Sequence, residues 1–271
     1  MDLTEVPQRA FRRHPWEVAR AQFFGRVAAG ALAQRPAPTR PARVLDIGAG
    51  DGYLGRQLLG MAPAGSTVTC VDPHYSDQDL ERFASPATPG LSFARARPDG
   101  TVDLILMLDV IEHVADDQAF VTDTLAGSLD AAGVVLVSVP AWDLLYGRHD
   151  LALKHFRRYQ PAQCRALLRS AGLEIVRGGG LFHSLLLPRI AQRLGEAVRG
   201  TLGSLKGGVP GGGGAGDAPA NLGEWRGGPW LSAAVTRALA VDTRLSERLA
   251  RRGRQWPGLS YWALCRRVAG S

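Results

Sequence analysis

The stretch Asp46-Ile47-Gly48-Ala49-Gly50-Asp51-Gly52 sits directly behind the apolar pair Val44-Leu45 and ahead of the helical pattern Tyr53–Leu59. It reads as a strand, a glycine turn and a helix start, which is how an α/β sheet holds a nucleotide-like ligand. Glycine suits such a turn because the backbone angles are closed to other residues and because a missing Cβ lets the main chain approach a ligand. Gly50 to Gly55 also meets the G-x-G-x-x-G spacing of a dinucleotide site, so spacing alone leaves an NAD(P)-dependent oxidoreductase open.

Three further signals follow in order. Asp46 closes the first strand with an acid before the first glycine, and the glycines alternate as Asp-x-Gly-x-Gly-x-Gly. Ser66 to Asp72 reads as a second strand ending in a carboxylate, which can accept hydrogen bonds from two ribose hydroxyls. Val102 to Leu108 reads as a fully buried strand running into the polar turn Asp109-Val110-Ile111-Glu112-His113-Val114.

The first of these resembles motif I of class I methyltransferases, and Leu108 to Val114 resembles the LDVIEHV motif of the ubiquinone-biosynthesis type and related type 11/12 methyltransferases. The resemblance covers roughly residues 40–182. It implies an α/β, Rossmann-like class I methyltransferase fold with a seven-stranded, mostly parallel sheet, the last strand antiparallel and helices on both faces. It also implies S-adenosyl-L-methionine (SAM) as cofactor, bound at Asp46, Gly48, Ala49, Gly50, Gly52, Asp72, Asp109 and Val110. The chemistry agrees, because SAM carries an ammonium and a sulfonium that favour nearby carboxylates. One departure is that Leu91 to Pro98 offers Arg95 and Arg97 where many relatives place an adenine-binding Asp, so backbone groups there are expected to take that contact.

Along the chain, Pro15 suits the first turn of a helix running to about Gln34, and Pro36 and Pro38 stop it. Residues 1–40 are therefore expected to form an N-terminal helical cap. A strand–helix alternation over 41–182 marks the SAM-binding core. The region 183–258 is expected to be an insertion holding an amphipathic helix, a glycine-rich linker at 202–228 and a basic helix. Residues 259–271 are expected to return as the final edge strand.

The ligand end of an open α/β sheet lies beyond the carboxyl ends of its strands. The fifth strand leads there into Val139 to Asp150 and then Lys154 to Tyr159, which resembles the "HD…GH.RRY" segment of type 11/12 methyltransferases. His149 is the first candidate base, with Asp150 adjacent to orient it, and His155 is the second. Trp142, Tyr146, Arg157 and Arg158 are candidate acceptor contacts, although packing is the more common role for such aromatics and loop anchoring the favoured one for the arginines. Asp51 reads as a helix cap and His113 as packing under the cofactor turn. No metal is expected, because His149, Asp150 and His155 lack a fourth ligand at recognisable spacing.

The net charge of +7 is carried almost wholly by arginine, which keeps nucleic acid in view as a substrate. The late arginines Arg244 to Arg254 lack the interleaved aromatics that stack single-stranded bases, so nucleic acid is disfavoured. Three scattered cysteines suggest neither a disulfide framework nor a zinc site and fit a cytoplasmic protein. Leu181 to Val198, with Arg189, Arg193 and Arg199 interspersed, reads as an amphipathic helix packed on the sheet edge or acceptor pocket, the alternative being a lid that touches a membrane peripherally. The expected activity is methyl transfer to a small-molecule or lipid-linked acceptor, with oxygen as the expected receiving atom. The other alternative is a non-catalytic partner with a SAM fold, and the oligomeric state is not encoded in these motifs.

Overall fold

A computed structural model describes residues 13–83, 88–205, 225 and 227–268. Apolar runs form the strands β1 (Arg43–Ile47), β2 (Thr67–Val71), β3 (Leu91–Ala94), β4 (Val102–Leu108), β5 (Leu129–Pro140), β6 (Leu173–Leu181) and β7 (Ser260–Arg267). They make one sheet in the order β3-β2-β1-β4-β5-β7-β6, in which β1 to β5 pair in parallel and β7 runs antiparallel to both its neighbours. Every residue of β4 is buried, as expected of a central parallel strand covered on both faces.

The topology corrects one expectation. The last strand is not at the edge: β7 inserts between β5 and β6, with Val137 opposite Ala263 and Gly178 opposite Ala263 on the other side. The edge belongs to β6. The segment Tyr261-Trp262-Ala263-Leu264-Cys265 is buried throughout, which only an interior strand allows.

Helices α1 (Pro15–Leu32), α2 (Tyr53–Leu59), α3 (Asp77–Phe83), α4 (Asp117–Ser128), α5 (Arg148–Ala152), α6 (Pro161–Ser170), α7 (His183–Leu205) and α8 (Pro229–Arg251) flank the sheet. One apolar layer joins α1 to the sheet through Phe23, Phe24, Val27 and Trp262, with the Phe23 and Trp262 rings edge-on at 5.1 Å. The other packs α4 and α6 through Val121, Leu125, Cys164 and Leu168 against Ile105, Val135 and Val137. The leader is thus part of the core layer rather than an appendage, because its aromatic face supplies that layer's bulk. The His14 side chain caps α1 by accepting from Trp16 N–H, and Pro15 takes the first turn.

Between β6 and β7, α7 continues through Pro188 and α8 packs on α1 and β6. Asp242 of α8 accepts from the N–H groups of His183 and Ser184, tying the start of α7 to α8. Most of the expected linker at 202–228 lies outside the described residues. Among the described residues no helix is long and apolar enough to cross a membrane.

Candidate active site

The glycine turn after β1 is built by backbone geometry. Gly48, Gly50 and Gly52 have φ of 65°, 57° and 72°, a region other residues enter only with strain. A Cβ on Gly48 would lie 2.8 Å from Val110, and one on Gly52 would lie 2.6 Å from Phe93. The turn is therefore closed to side chains by sterics as well as by φ. The α2 N-cap position is occupied by Gly52 and not by Asp51, whose carboxylate instead accepts from Tyr53 N–H and pairs with Arg13.

A cavity opens on this turn, lined by Asp46, Gly48, Ala49 and Leu108, by Glu17 and Arg20 of α1 and by Arg13 just ahead of that helix. Asp46 lies at its floor, and burial pushes its carboxyl up to about 7, offset only in part by Arg20. Asp109 follows β4 with φ of 58°, an arrangement that costs about 1–3 kcal/mol and turns the chain out of the strand beside the cavity-lining Leu108. There its carboxylate meets Arg20 at 2.8 Å and accepts from Ser138 Oγ at 2.8 Å. Burial raises its pKa, but Arg20 and Ser138 outweigh burial and hold it below the usual carboxylate range.

Asp72 stands next to the turn because Gly48 N–H donates to Val71 O at the end of β2. Its Oδ1 accepts from His74 N–H, which fixes the carboxylate at the strand end. Tyr75 Oη donates to Gly50 O at 2.6 Å and locks the turn from the same side. Arg95 and Arg97 are turned elsewhere, onto Tyr75 O with Asp77 and onto Asp123 O respectively.

The acceptor-side loop is organised around Asp150, which is fully buried. The sequence suggests that Asp150 serves His149, but its partners are others. His155 Nδ1 lies 3.0 Å and Arg158 Nε 2.7 Å from Asp150 Oδ1, while Arg189 of α7 reaches Oδ2 at 3.3 Å and Gly147 N–H donates to Oδ2 at 3.0 Å. Burial pushes this carboxyl up, but the His155 and Arg158 bonds and the Arg158 charge hold it well below the usual range. His149 is half-buried with its pKa lowered by that burial.

The polar atoms of the expected acceptor contacts are engaged within the protein. Trp142 Nε1 donates to Gly258 O, Tyr146 Oη to His155 O, Arg157 to Asp117 and Ala115 O, and Arg158 to Asp150 and Ala141 O. These bonds anchor the loop, in keeping with the anchoring role weighed for them. Phe156 N–H donates to Glu112 O, which brings His155 against the turn after β4, its ring edge-on to His113 at 4.6 Å. Glu112 is fully buried there, and burial followed by Asp109 raises its carboxyl well above the usual range.

Arg20 and Arg189 are the site residues that motif reading misses. Both lie on helices outside the motifs, and nothing in their local spacing marks them. Glu112 was within the quoted motif, where its burial was not visible.

The raised Asp46 pKa gives a testable pH dependence. A cation bound beside Asp46 stabilises its carboxylate, so binding releases a proton wherever the free protein holds one. Affinity for a sulfonium ligand should plateau above about pH 7 and fall by up to about tenfold per unit below it. Calorimetry from pH 6 to 8 in buffers of different ionisation heat reads both affinity and proton release. Flat affinity without proton release would show that Asp46 is already ionised.

Residues 19–177 match the family described as "Methyltransferase domain". The chain is 29% identical over 164 residues to the Mycolicibacterium smegmatis protein named "Probable S-adenosylmethionine-dependent methyltransferase", a match covering 57% of this chain and 61% of that one. It is 36% identical over 111 residues to a protein of Caulobacter sp. named "Ubiquinone biosynthesis O-methyltransferase", covering 37% of this chain and 42% of the relative. The chain thus spans less than two thirds of either relative. Among solved structures, the cyclase SpnF superposes over 99% of this chain and 91% of its own with a TM-score of 0.52 at 16% identity, a likeness of fold.

Proposed function

The chain belongs to the methyltransferase-domain family, and from that premise we propose that it transfers a methyl group from SAM to a hydroxyl oxygen of a small-molecule or lipid-linked acceptor. The observation that carries this reading is the cavity at the end of β1, where a side-chain-free glycine turn meets the buried Asp46 beside Arg13 and Arg20. The turn accepts a ligand's main body against backbone, with Asp46 and Asp109 flanking its positive charges. Asp72 takes the ribose hydroxyls, and Arg20, already at the cavity, takes the ligand's carboxylate.

Methyl transfer is an in-line displacement in which the acceptor oxygen attacks the methyl carbon and the C–S electron pair returns to sulfur. The protein's largest task is alignment, which contributes up to about 7–11 kcal/mol in well-oriented systems. An acceptor hydroxyl must also lose its proton, a step that a positioned group speeds by about 10²–10⁴-fold. The Glu112, His113 and His155 cluster lies beside the Asp109 turn and is where that proton leaves. Transfer to oxygen also draws support from the relatives named as O-methyltransferases. A lipid-linked acceptor is supported by α7, the helix that also supplies Arg189, on which Leu187 and Leu194 are 73% and 63% exposed.

Calorimetry should show saturable binding of SAM and S-adenosylhomocysteine at similar affinity, with NAD and NADP much weaker. Nicotinamide cofactors binding more tightly than SAM would overturn the reading. Incubation with methyl-labelled SAM and hydroxyl acceptors, offered free and embedded in vesicles, should place label on oxygen; label found solely on nitrogen or carbon would remove the oxygen assignment.

A further inference from the structure

We propose that Glu112, His113 and His155 bind one divalent first-row transition cation, which holds and acidifies the acceptor hydroxyl. One potential ligand atom from each residue lies within 4.8 Å of the others. The inference rests on the methyl-transfer reading for its catalytic half and on geometry alone for the site.

Three observations converge. Glu112 is wholly buried, and neither of its carboxylate oxygens has a hydrogen-bond partner. A buried carboxylate without partners costs several kcal/mol, so such a group either stays protonated or has a cation to face. The neighbouring guanidinium groups do not serve it: Arg20 is paired with Asp109 and Arg158 with Asp150.

His155 is arranged as a ligand. Its Nδ1 lies 3.0 Å from the Asp150 carboxylate, which holds the proton on that nitrogen and leaves the Nε2 lone pair for a metal. This carboxylate–imidazole pairing is the usual support of a metal-bound histidine, since it fixes the tautomer and the ring orientation. Asp150 is itself fixed by three groups, Arg158, Arg189 and Gly147 N–H, so the carboxylate that orients the imidazole is held in place.

Two imidazoles and one carboxylate suit zinc, iron(II), cobalt(II) or manganese better than magnesium or calcium, which prefer all-oxygen sets. Ligand atoms about 2.0–2.1 Å from one metal lie at most about 4.2 Å apart, so any pair near the 4.8 Å bound must draw inward when the cation binds. His113 is the member with room to move, being half-exposed while Glu112 and His155 are buried. Its exposed side leaves open positions for the acceptor.

In the transfer step, the acceptor hydroxyl binds the cation and its O–H bond breaks, the proton leaving to water. The oxygen lone pair then forms the O–CH₃ bond as the C–S bond breaks, and sulfur keeps that electron pair as S-adenosylhomocysteine. No electron passes to or from the metal. The cation's role is to lower the hydroxyl pKa, as metal coordination lowers that of water.

The test uses full-length protein treated with chelator and titrated with cobalt(II), followed by visible absorption. The expected result is saturation at one equivalent, with Glu112→Gln and His155→Ala each weakening cobalt affinity at least about tenfold. His113→Ala, at a half-exposed position, should weaken cobalt affinity in the same way. SAM calorimetry on each variant reports an intact fold. Failure of wild-type protein to bind cobalt, zinc or manganese at about 1 mM, or variants that bind cobalt like wild type, would overturn the site. Labelled-methyl transfer should be lost in chelated protein and return with added cation; transfer at the full rate without metal would overturn the catalytic half. Cobalt binding in a protein that does not bind SAM would uphold the site and defeat the methyl-transfer reading instead.

Discussion

Asp150→Ala is expected to destabilise the protein by about 3–5 kcal/mol, measured as a lower urea midpoint at unchanged slope. The residue is fully buried and is the shared counter-charge of Arg158 and Arg189, which are themselves 7% and 9% exposed. Its removal leaves two buried guanidinium groups without their shared counter-charge, and it also frees His155 Nδ1 and Gly147 N–H. Asp150→Asn keeps the shape and part of the hydrogen bonding, so it should lose less. The linkage has a definite sign. The folded-state pKa is depressed, so the contribution is complete above the ordinary pKa of 3.8 and disappears as pH falls through the folded value, making the pair a component of acid unfolding. A wild-type urea midpoint for Asp150→Ala would mean that water reaches this cluster and screens it.

Asp72→Ala should weaken SAM binding by about one to three orders of magnitude, at about 1.5–3 kcal/mol per hydrogen bond to a charged group. The carboxylate is 9% exposed at the end of β2 and held in place by His74 N–H, so little ordering remains to be done when ribose hydroxyls arrive. The variant loses that turn contact as well, and circular dichroism with a thermal midpoint separates a local change from a global one. Full affinity in a folded Asp72→Ala protein would move the ribose away from this strand end.

How far the sequence reaches can be judged residue by residue. The apolar run at 102–108 specifies a doubly covered strand because no residue in it except Asp103 has anything to gain from water, and Asp103 faces Arg35 and Arg40 at the strand's start. Pro15 and the following aromatic spacing specify α1 and its buried face. The glycine alternation specifies the turn, since each φ there is one that only glycine adopts without strain. In contrast, β7 was expected at the edge and lies inside, because apolar strands on either side of it offer the same pattern in one dimension.

The site shows the same division. Sequence neighbours His149 and Asp150 invite a pairing, yet the loop turns through α5 and the Lys154 corner at φ 57° and brings His155 to the carboxylate instead. Arg20 meets Asp109 across 89 residues of chain and Arg189 meets Asp150 across 39, distances at which no periodicity carries information. Both arginines depend on where their helices dock, and that is decided by Phe23 and Phe24 packing on the sheet and by Asp242 holding the start of α7.

The sequence by itself therefore determined the local conformations and the cofactor turn, because backbone angles and apolar period are properties of a few consecutive residues. The tertiary structure alone decided which charges meet, which carboxylate lost its partners and which imidazole gained one, because a buried charge is governed by whatever packing places within a few ångströms of it.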